Sequence, residues 1–369
     1  MKLNALSKKI VYFLLAYLLP LQIIFSQNHK SSFVLKDEYL IENTKSFDKT
    51  LIGGLSGIEY YSGNVFYLIS DDKGEHGAPR FYKVSIDYTK KGINKVDFIA
   101  VKYLTPSPGK IFVTNSDQVD SSKFIFSDAE AIRYDKSSGK LFWSSEGYDT
   151  KSMLSQPFIF AMDTNGLFFN KINTDPVYLF DPSHRRGPQH NAAFEAFAFI
   201  PDSDNIVYSS EKSLYQDIRS LKDSLKPIRI TISDKKTGNT VSQFAYMLED
   251  LLENNSNGVV DILALSNNTF FILERAFGFG GYIRLYKSTT DDTTSDVKSF
   301  PVLRDKKYVA LKKELILDFS KTGLKHVDNI EGMTWGYPLI GNKKSILFVS
   351  DNNFNNLLST ELILFEYED

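Results

Sequence analysis

The chain contains no cysteine. Disulfides and thiolate metal sites are therefore excluded, and so is a lipid linkage through a cysteine after the N-terminal apolar run. An excess of positive charge is missing as well: 43 Lys and Arg stand against 45 Asp and Glu in 369 residues, a formal net charge of −2. With no Lys/Arg run and no interleaving of basic and aromatic residues, nucleic acid is not an expected partner. Histidine is scarce, at five residues, and shows no ligand spacing. H-E-x-x-H, a phosphate-binding P-loop, a dinucleotide fingerprint and a G-x-S-x-G nucleophile elbow are all absent. GGLSGIE (Gly53 to Glu59) approaches the elbow but lacks its spacing.

One long apolar run does occur, and it sits at the start. Lys2, Lys8 and Lys9 precede Ile10 to Phe25, and Ser26-Gln27-Asn28 follow. A basic start, an apolar centre and a polar exit describe an export signal, cleaved near Ser26–Gln27. The competing reading is a retained membrane anchor, but the run is short for a span and Pro20 interrupts it. The expected organisation is a signal peptide at 1–27 and one domain at 28–369, with no stable membrane span after cleavage. The expected product is a monomer, periplasmic or secreted from a bacterium. Without disulfides it must be held by its core or by bound metal, and 42% hydrophobic and 14% aromatic content is ample for a large core.

The remainder is repetitive. Five segments follow one pattern: SGIEYYSGNVFYLISDD, EAIRYDKSSGKLFWSSE, EAFAFIPDSDNIVYSSE, DILALSNNTFFILE and EGMTWGYPLIGNKKSILFVSD. They begin at Ser56, Glu130, Glu195, Asp261 and Glu331. Each reads as an inner strand, a turn and a second apolar strand ending in an acid, and most units continue with two further strand-like runs. In the second unit these are FIFAMD and a weaker run near PVYLF. The fifth unit lacks a fourth strand, which Phe33 to Ile41 near the N-terminus can supply. Four-stranded units repeated radially and closed by strands from both termini predict an all-β fold, a single β-propeller of five or six blades.

Pairing within each unit brings the start of the first strand beside the end of the second. Glu130 should then lie near Glu146, Glu195 near Glu211, Asp261 near Glu274, Glu331 near Asp351, and Ser56 near Asp71 and Asp72. Ring symmetry gathers them at one mouth of the central channel. So many carboxylates in a small space need protons or cations. An oxygen-only donor set favours a hard divalent ion, with calcium preferred over magnesium. The expected metal ligands are Asp71, Asp72, Glu130, Glu146, Glu195, Glu211, Glu274, Glu331 and Asp351. The alternative is that each acid is tied to a neighbouring cation, as Arg275 and Lys212 invite. Arg80, Arg185, Arg186 and Arg275 are candidate grips for a small anionic substrate. Glu195, Glu211 and His190 are candidate catalytic groups.

GGLSGIEY, DAEAIRY, NAAFEAFAFIPD, FILERAFG, DNIEGMTWG and LFVSDNNF together resemble the phytase-like domain family, also described as the esterase-like activity of phytase family. The resemblance runs from about Leu51 to the C-terminus. It implies an exported β-propeller similar to the calcium-dependent propeller phytases, and hydrolysis of phosphate or other esters. By motif, Ser56, Glu130, Glu195, Glu274, Arg275, Glu331, Asp351, Asn352 and Asn353 match. The chain departs from the family by carrying Ala131 and Ala196 where the family usually has glycine. The leading expectation is a calcium-dependent phosphate-ester hydrolase. A non-catalytic calcium-stabilised propeller that binds a glycan or protein, and a metal-dependent carboxyl-esterase, are the alternatives.

Overall fold

The computed structural model describes residues 32–113, 123–150, 153–221, 226–250, 256–278, 280–339, 341 and 343–368. The expected signal peptide lies outside them. Among the described residues no helix is long and apolar enough to cross a membrane.

Five four-stranded antiparallel sheets make five blades of a propeller. Blade 1 runs through Leu55–Ser62, Val65–Ser70, Arg80–Thr89 and Gly92–Tyr103. Blade 2 holds Ala129–Asp135, Lys140–Ser145, Phe158–Met162 and Phe168–Ile172. The fourth strand of blade 2 therefore precedes the PVYLF run. That run instead opens a 3-10 turn, Pro176–Tyr178, in which the Asp175 carboxylate accepts the Val177 N–H. Proline supplies the fixed φ such a turn needs and has no N–H for a sheet ladder. Blade 3 is Ala196–Phe199, Asn205–Ser209, Pro227–Asp234 and Thr240–Met247. Blade 4 is Ser256–Ser266, Thr269–Phe277, Tyr282–Thr289 and Lys312–Asp318. Blade 5 has Ile330–Trp335, Lys344–Ser350 and Thr360–Glu368, and its outer strand is Ser32–Ile41 from the N-terminal end of the domain. The ring thus closes by strand pairing between the two ends of the domain, which removes a free edge.

Alternation explains the continuous apolar character of the second strands. Phe66 and Leu68 face blade 5 and join a core with Leu347 and Val349, while Tyr67 and Ile69 face blade 2 and pack with Leu141 and Trp143. Both faces of each blade are covered, so no position is free to be polar. The same arrangement yields a core at each of the other junctions: Phe142 with Phe197, Val207 with Ile272, and Phe271 with Phe348. Each fully buried Ile, Leu or Phe contributes about 1.5–3 kcal/mol, so five such cores hold the chain without disulfides.

The inner strands crowd one another around the axis. The Ser56 hydroxyl donates to the carbonyls of Ala129 and Glu130, both at 2.9 Å. A side chain at Gly57 would put its Cβ 2.6 Å from the Glu130 carbonyl oxygen and 3.2 Å from the Ala131 Cα. Backbone lies on that side, so it cannot swing away. Gly57→Ala is expected to cost about 1–3 kcal/mol by overpacking, read as a lower midpoint in urea denaturation at unchanged slope. An unchanged midpoint would show that the inner strands are not in close contact.

Candidate functional site

The mouth is built by one local geometry used four times. The carbonyls of Gly54, Asp128, Ala193 and Asn329 accept the N–H groups of Asp71, Glu146, Glu211 and Asp351 at 2.7–3.1 Å. These bonds fix the acid at the end of each second strand. In blades 1, 2 and 5 a β-bulge then sets Ser56, Glu130 and Glu331 at the start of the inner strand. A bulge leaves one residue outside the ladder and re-aims it, here toward the mouth. Gly54 has φ +61°, and a Cβ there would lie 2.1 Å from an Asp71 carboxylate oxygen and 2.5 Å from the Phe354 ring. The glycine is what lets both groups approach.

Blade 4 breaks the pattern by one residue. Its bulge lies between Val259 and Asp261, so Val260 occupies the place of Glu130, and Asp261 falls where Gly57 and Ala131 lie in their blades. The same offset puts Glu274 at the serine position and Arg275 at the acid position. Glu274 therefore does not reach the mouth. It is fully buried against the Tyr246 and Tyr282 hydroxyls, at 2.5 and 2.8 Å, and Lys313 Nζ at 2.5 Å. Asp261 turns into the bore, forms an ion pair with Arg133 of blade 2, and accepts the Met333 N–H at 2.7 Å. Arg275 takes its place on the rim. It forms an ion pair with Glu331, donates to Asn329 Oδ1 at 2.8 Å and lies 3.5 Å from Glu211.

The acids concentrate on blades 2 and 3. Asp128, Glu130 and Glu146 each offer an oxygen within 4.8 Å of the others, as do Glu146, Glu195 and Glu211. Glu146 Oε1 accepts the Ala193 N–H at 2.5 Å. Asp128 Oδ1, Glu146 Oε2 and Asp351 Oδ2 are buried with no hydrogen-bond partner among the described residues. Burial, then the charges of neighbouring acids, pushes Asp71, Glu130 and Glu146 well above the usual carboxylate range. Burial and Glu211 raise Glu195 to about 8 despite Arg275. Burial raises Asp351 to about 6 against the opposing Asn353 N–H and Arg275. Buried carboxylates that lack donors and repel one another form a donor set suited to a hard, oxygen-seeking cation.

The other expected site residues are placed as follows. Asp72 and Arg80 are buried and committed to each other at 2.6 Å. Arg80 also donates to the Tyr82 hydroxyl and the Leu51 carbonyl, and Asp72 Oδ1 accepts the N–H groups of Gly74, Glu75 and His76. This pair shapes a loop and turns no charge to the mouth. Arg185 and Arg186 are exposed on the loop before Glu195. His190 is exposed, edge-on to the Tyr148 ring at 5.3 Å, and its charge acts on Asp128. Sequence reasoning passed over Asp128, Asn329 and Lys73. Asp128 and Asn329 each stand two residues before a motif acid, in DAEA and DNIE, and that shared offset was the available signal. Lys73 Nζ lies 2.8 Å from Asp128 and 2.5 Å from the Asn191 amide oxygen.

Residues 50–354 match the family described as Phytase-like, esterase-like activity of phytase. The chain belongs to the phytase-like family. No curated protein sequence matches this phytase-like chain. Among solved structures it is similar to GH43B of the Bacteroides ovatus xyloglucan PUL, with TM-score 0.45 and 11% identity over 89% of this chain and 54% of that one. A GH43_12 protein from a capybara gut metagenome gives 0.47 and 9% over 90% and 56%. The exo-β-1,3-galactanase of Phanerochaete chrysosporium gives 0.45 and 11% over 90% and 64%. The phytase-like chain spans little more than half the length of the first two. Likeness at this level does not carry an activity.

Proposed function

We propose that this phytase-like propeller hydrolyses phosphate esters with the aid of a hard divalent cation, calcium by preference. The observation that supports this most is the pair of overlapping carboxylate triads at the mouth, with unpartnered oxygens on Asp128 and Glu146. Asp128, Glu130, Glu146, Glu195 and Glu211 would hold the cation, which would supply positive charge against the phosphate oxygens.

The chain's own cations complete the anion site. Arg275 stands in blade 4 where the other blades carry an acid. Burial works against the Lys73 ammonium, yet Asp128, Glu130 and Glu146 outweigh it and hold its pKa above the usual lysine range. The Lys73 ammonium and the Arg275 guanidinium can bind phosphate oxygens. Glu211 has one oxygen 3.5 Å from Arg275 and the other 3.4 Å from Lys212, which fixes its carboxylate to orient a water. Glu195, beside it, is the group to exchange a proton. A serine nucleophile has no support, because the Ser56 hydroxyl already donates to two backbone carbonyls.

The test is purified protein on phytate and on an aryl phosphate, with calcium and with excess chelator. Turnover with calcium, lost at least about 100-fold in chelator and in Glu211→Gln, is the expected result. Absence of chelator-sensitive turnover on both substrates would overturn it, and calcium-dependent melting without turnover would favour the non-catalytic propeller.

A further inference from the structure

One cation, Lys73, is set against the acids of several blades at once. Its ammonium lies 2.8 Å from Asp128 Oδ2 and 2.5 Å from Asn191 Oδ1, in the loop that leads to Glu195. Its charge also acts on Asp71, on Glu146 and, across the mouth, on Asp351. A single ammonium thus serves as counter-ion to several acids that are costly to keep charged out of water.

The backbone around Lys73 is pinned. Asp72 Oδ1 accepts the N–H groups of Gly74, Glu75 and His76 at 2.9–3.0 Å, and Asp72 is itself held by the buried Arg80 at 2.6 Å. The side chain is not pinned in this way. It is 32% exposed, against 1% for Asp128, and it reaches the cluster on a flexible four-carbon stem. Beside it lies a cavity of about 170 Å³, lined by Asp71, Lys73 and the exposed Glu75 among others. The ammonium therefore has a fixed anchor and room to leave Asp128.

A divalent cation and this ammonium need the same ligand. Asp128, Glu130 and Glu146 offer oxygens within 4.8 Å of one another. Lys73 takes Asp128 Oδ2, while Oδ1 has no partner among the described residues. An ion held by the triad would bring two further positive charges to the carboxylate that Lys73 occupies. Like charges that share one buried carboxylate repel strongly, because little water screens them.

We propose that Lys73 is a tethered competitor of the divalent cation: it neutralises the acids when no ion is bound, and an ion must displace it from Asp128 in order to bind. This role rests on the cluster holding a divalent cation, and it adds a control on that binding. The chain's own cation holds the affinity for the ion down. The ammonium is released to a substrate anion only once the ion is in place, so the anion grip and the metal assemble together.

Removing the charge should change two measurements in opposite directions. Calcium is titrated by calorimetry into the chelator-stripped full chain and into its Lys73→Met and Lys73→Arg variants, and each protein is melted in chelator. Lys73→Met is expected to bind calcium about tenfold or more tightly, and Lys73→Arg, which keeps the charge, to stay within about threefold of the parent. In chelator Lys73→Met is expected to melt below the parent, because the acids have lost their counter-ion. Lys73→Gln, which can still donate to Asn191, takes its place if Lys73→Met does not fold without the ion. A lysine that merely holds the loop would, when replaced, lower calcium affinity and melting temperature together, and that result overturns the proposal. Unchanged calcium affinity in Lys73→Met, with the parent still binding the ion, also overturns it and leaves the metal reading standing. Calcium binding by none of the proteins removes both.

Discussion

In the presence of a chelator, the melting temperature is expected to fall as pH rises from about 5 to 8, and calcium is expected to restore it. The sign follows from the acids at the mouth. Glu195 has an ordinary value of 4.5 and a folded value of about 8, with burial the first cause and Glu211 the second. Between those values the folded chain binds more protons than the unfolded chain, so stability is lost as pH rises through the window. Glu130 and Glu146 are shifted in the same direction by burial and then by Glu195, and Asp71 by burial and then by Asp351. Glu195 alone would account for at most about 5 kcal/mol across the whole window, with the coupled acids sharing the effect. A cation bound only by the folded form, at 100 times its dissociation constant, returns about 2.7 kcal/mol. That is roughly 4 °C in a chain of this size. Melting scans at pH 5, 6.5 and 8, with calcium and with chelator, check this. Superimposed curves at pH 8 would mean that the acids carry their own protons and bind no ion.

The second large effect lies deeper in the bore and involves no ion from solution. Arg133 of blade 2 and Asp261 of blade 4 form an ion pair between blades that are not neighbours, and both side chains are buried. Arg133 also donates to the Ile132 and Ile58 carbonyls at 2.9 and 3.2 Å, and the Phe197 ring lies 5.9 Å from its guanidinium. Removing one partner leaves the other charged and dry, a cost of about 3–5 kcal/mol. Against total stabilities of about 5–15 kcal/mol, Arg133→Met or Asp261→Leu should each come near to unfolding the domain. The double variant should lose clearly less than the sum of the two. Urea denaturation of the three proteins measures the coupling. Single losses below about 1 kcal/mol, or strict additivity, would mean that the pair does not brace the ring.

The difference between Asp261 as expected and as found shows where the sequence stops being legible. DILAL reads as EAIRY does, with an acid leading alternating apolar residues, and nothing in the periodicity separates them. A bulge adds one residue to a strand without leaving a sequence mark, and in blade 4 it falls one place earlier relative to the acid. That slip sends Asp261 into the bore, Glu274 toward Tyr246 and Lys313, and Arg275 to the rim. The other blades were readable because the acid, the small residue and the closing acid keep step in them, as at Glu130, Ala131 and Glu146. The missing strand of the fifth unit was readable as well, because Phe33 to Ile41 had no partner in its own neighbourhood.

Sequence alone determined the all-β repeat, the closure of the ring by both ends of the domain and the gathering of acids at one mouth, since alternation and repeat length act locally and add up. The repeat left five or six blades open, and only the assembled ring decided five. Tertiary structure also decided which acids keep unpartnered oxygens, that the Arg275 guanidinium stands among them, and that Phe354 is strained into place beside Asp71. Those outcomes depend on distances between blades far apart in the chain, where burial and charge act through space and no local pattern records them.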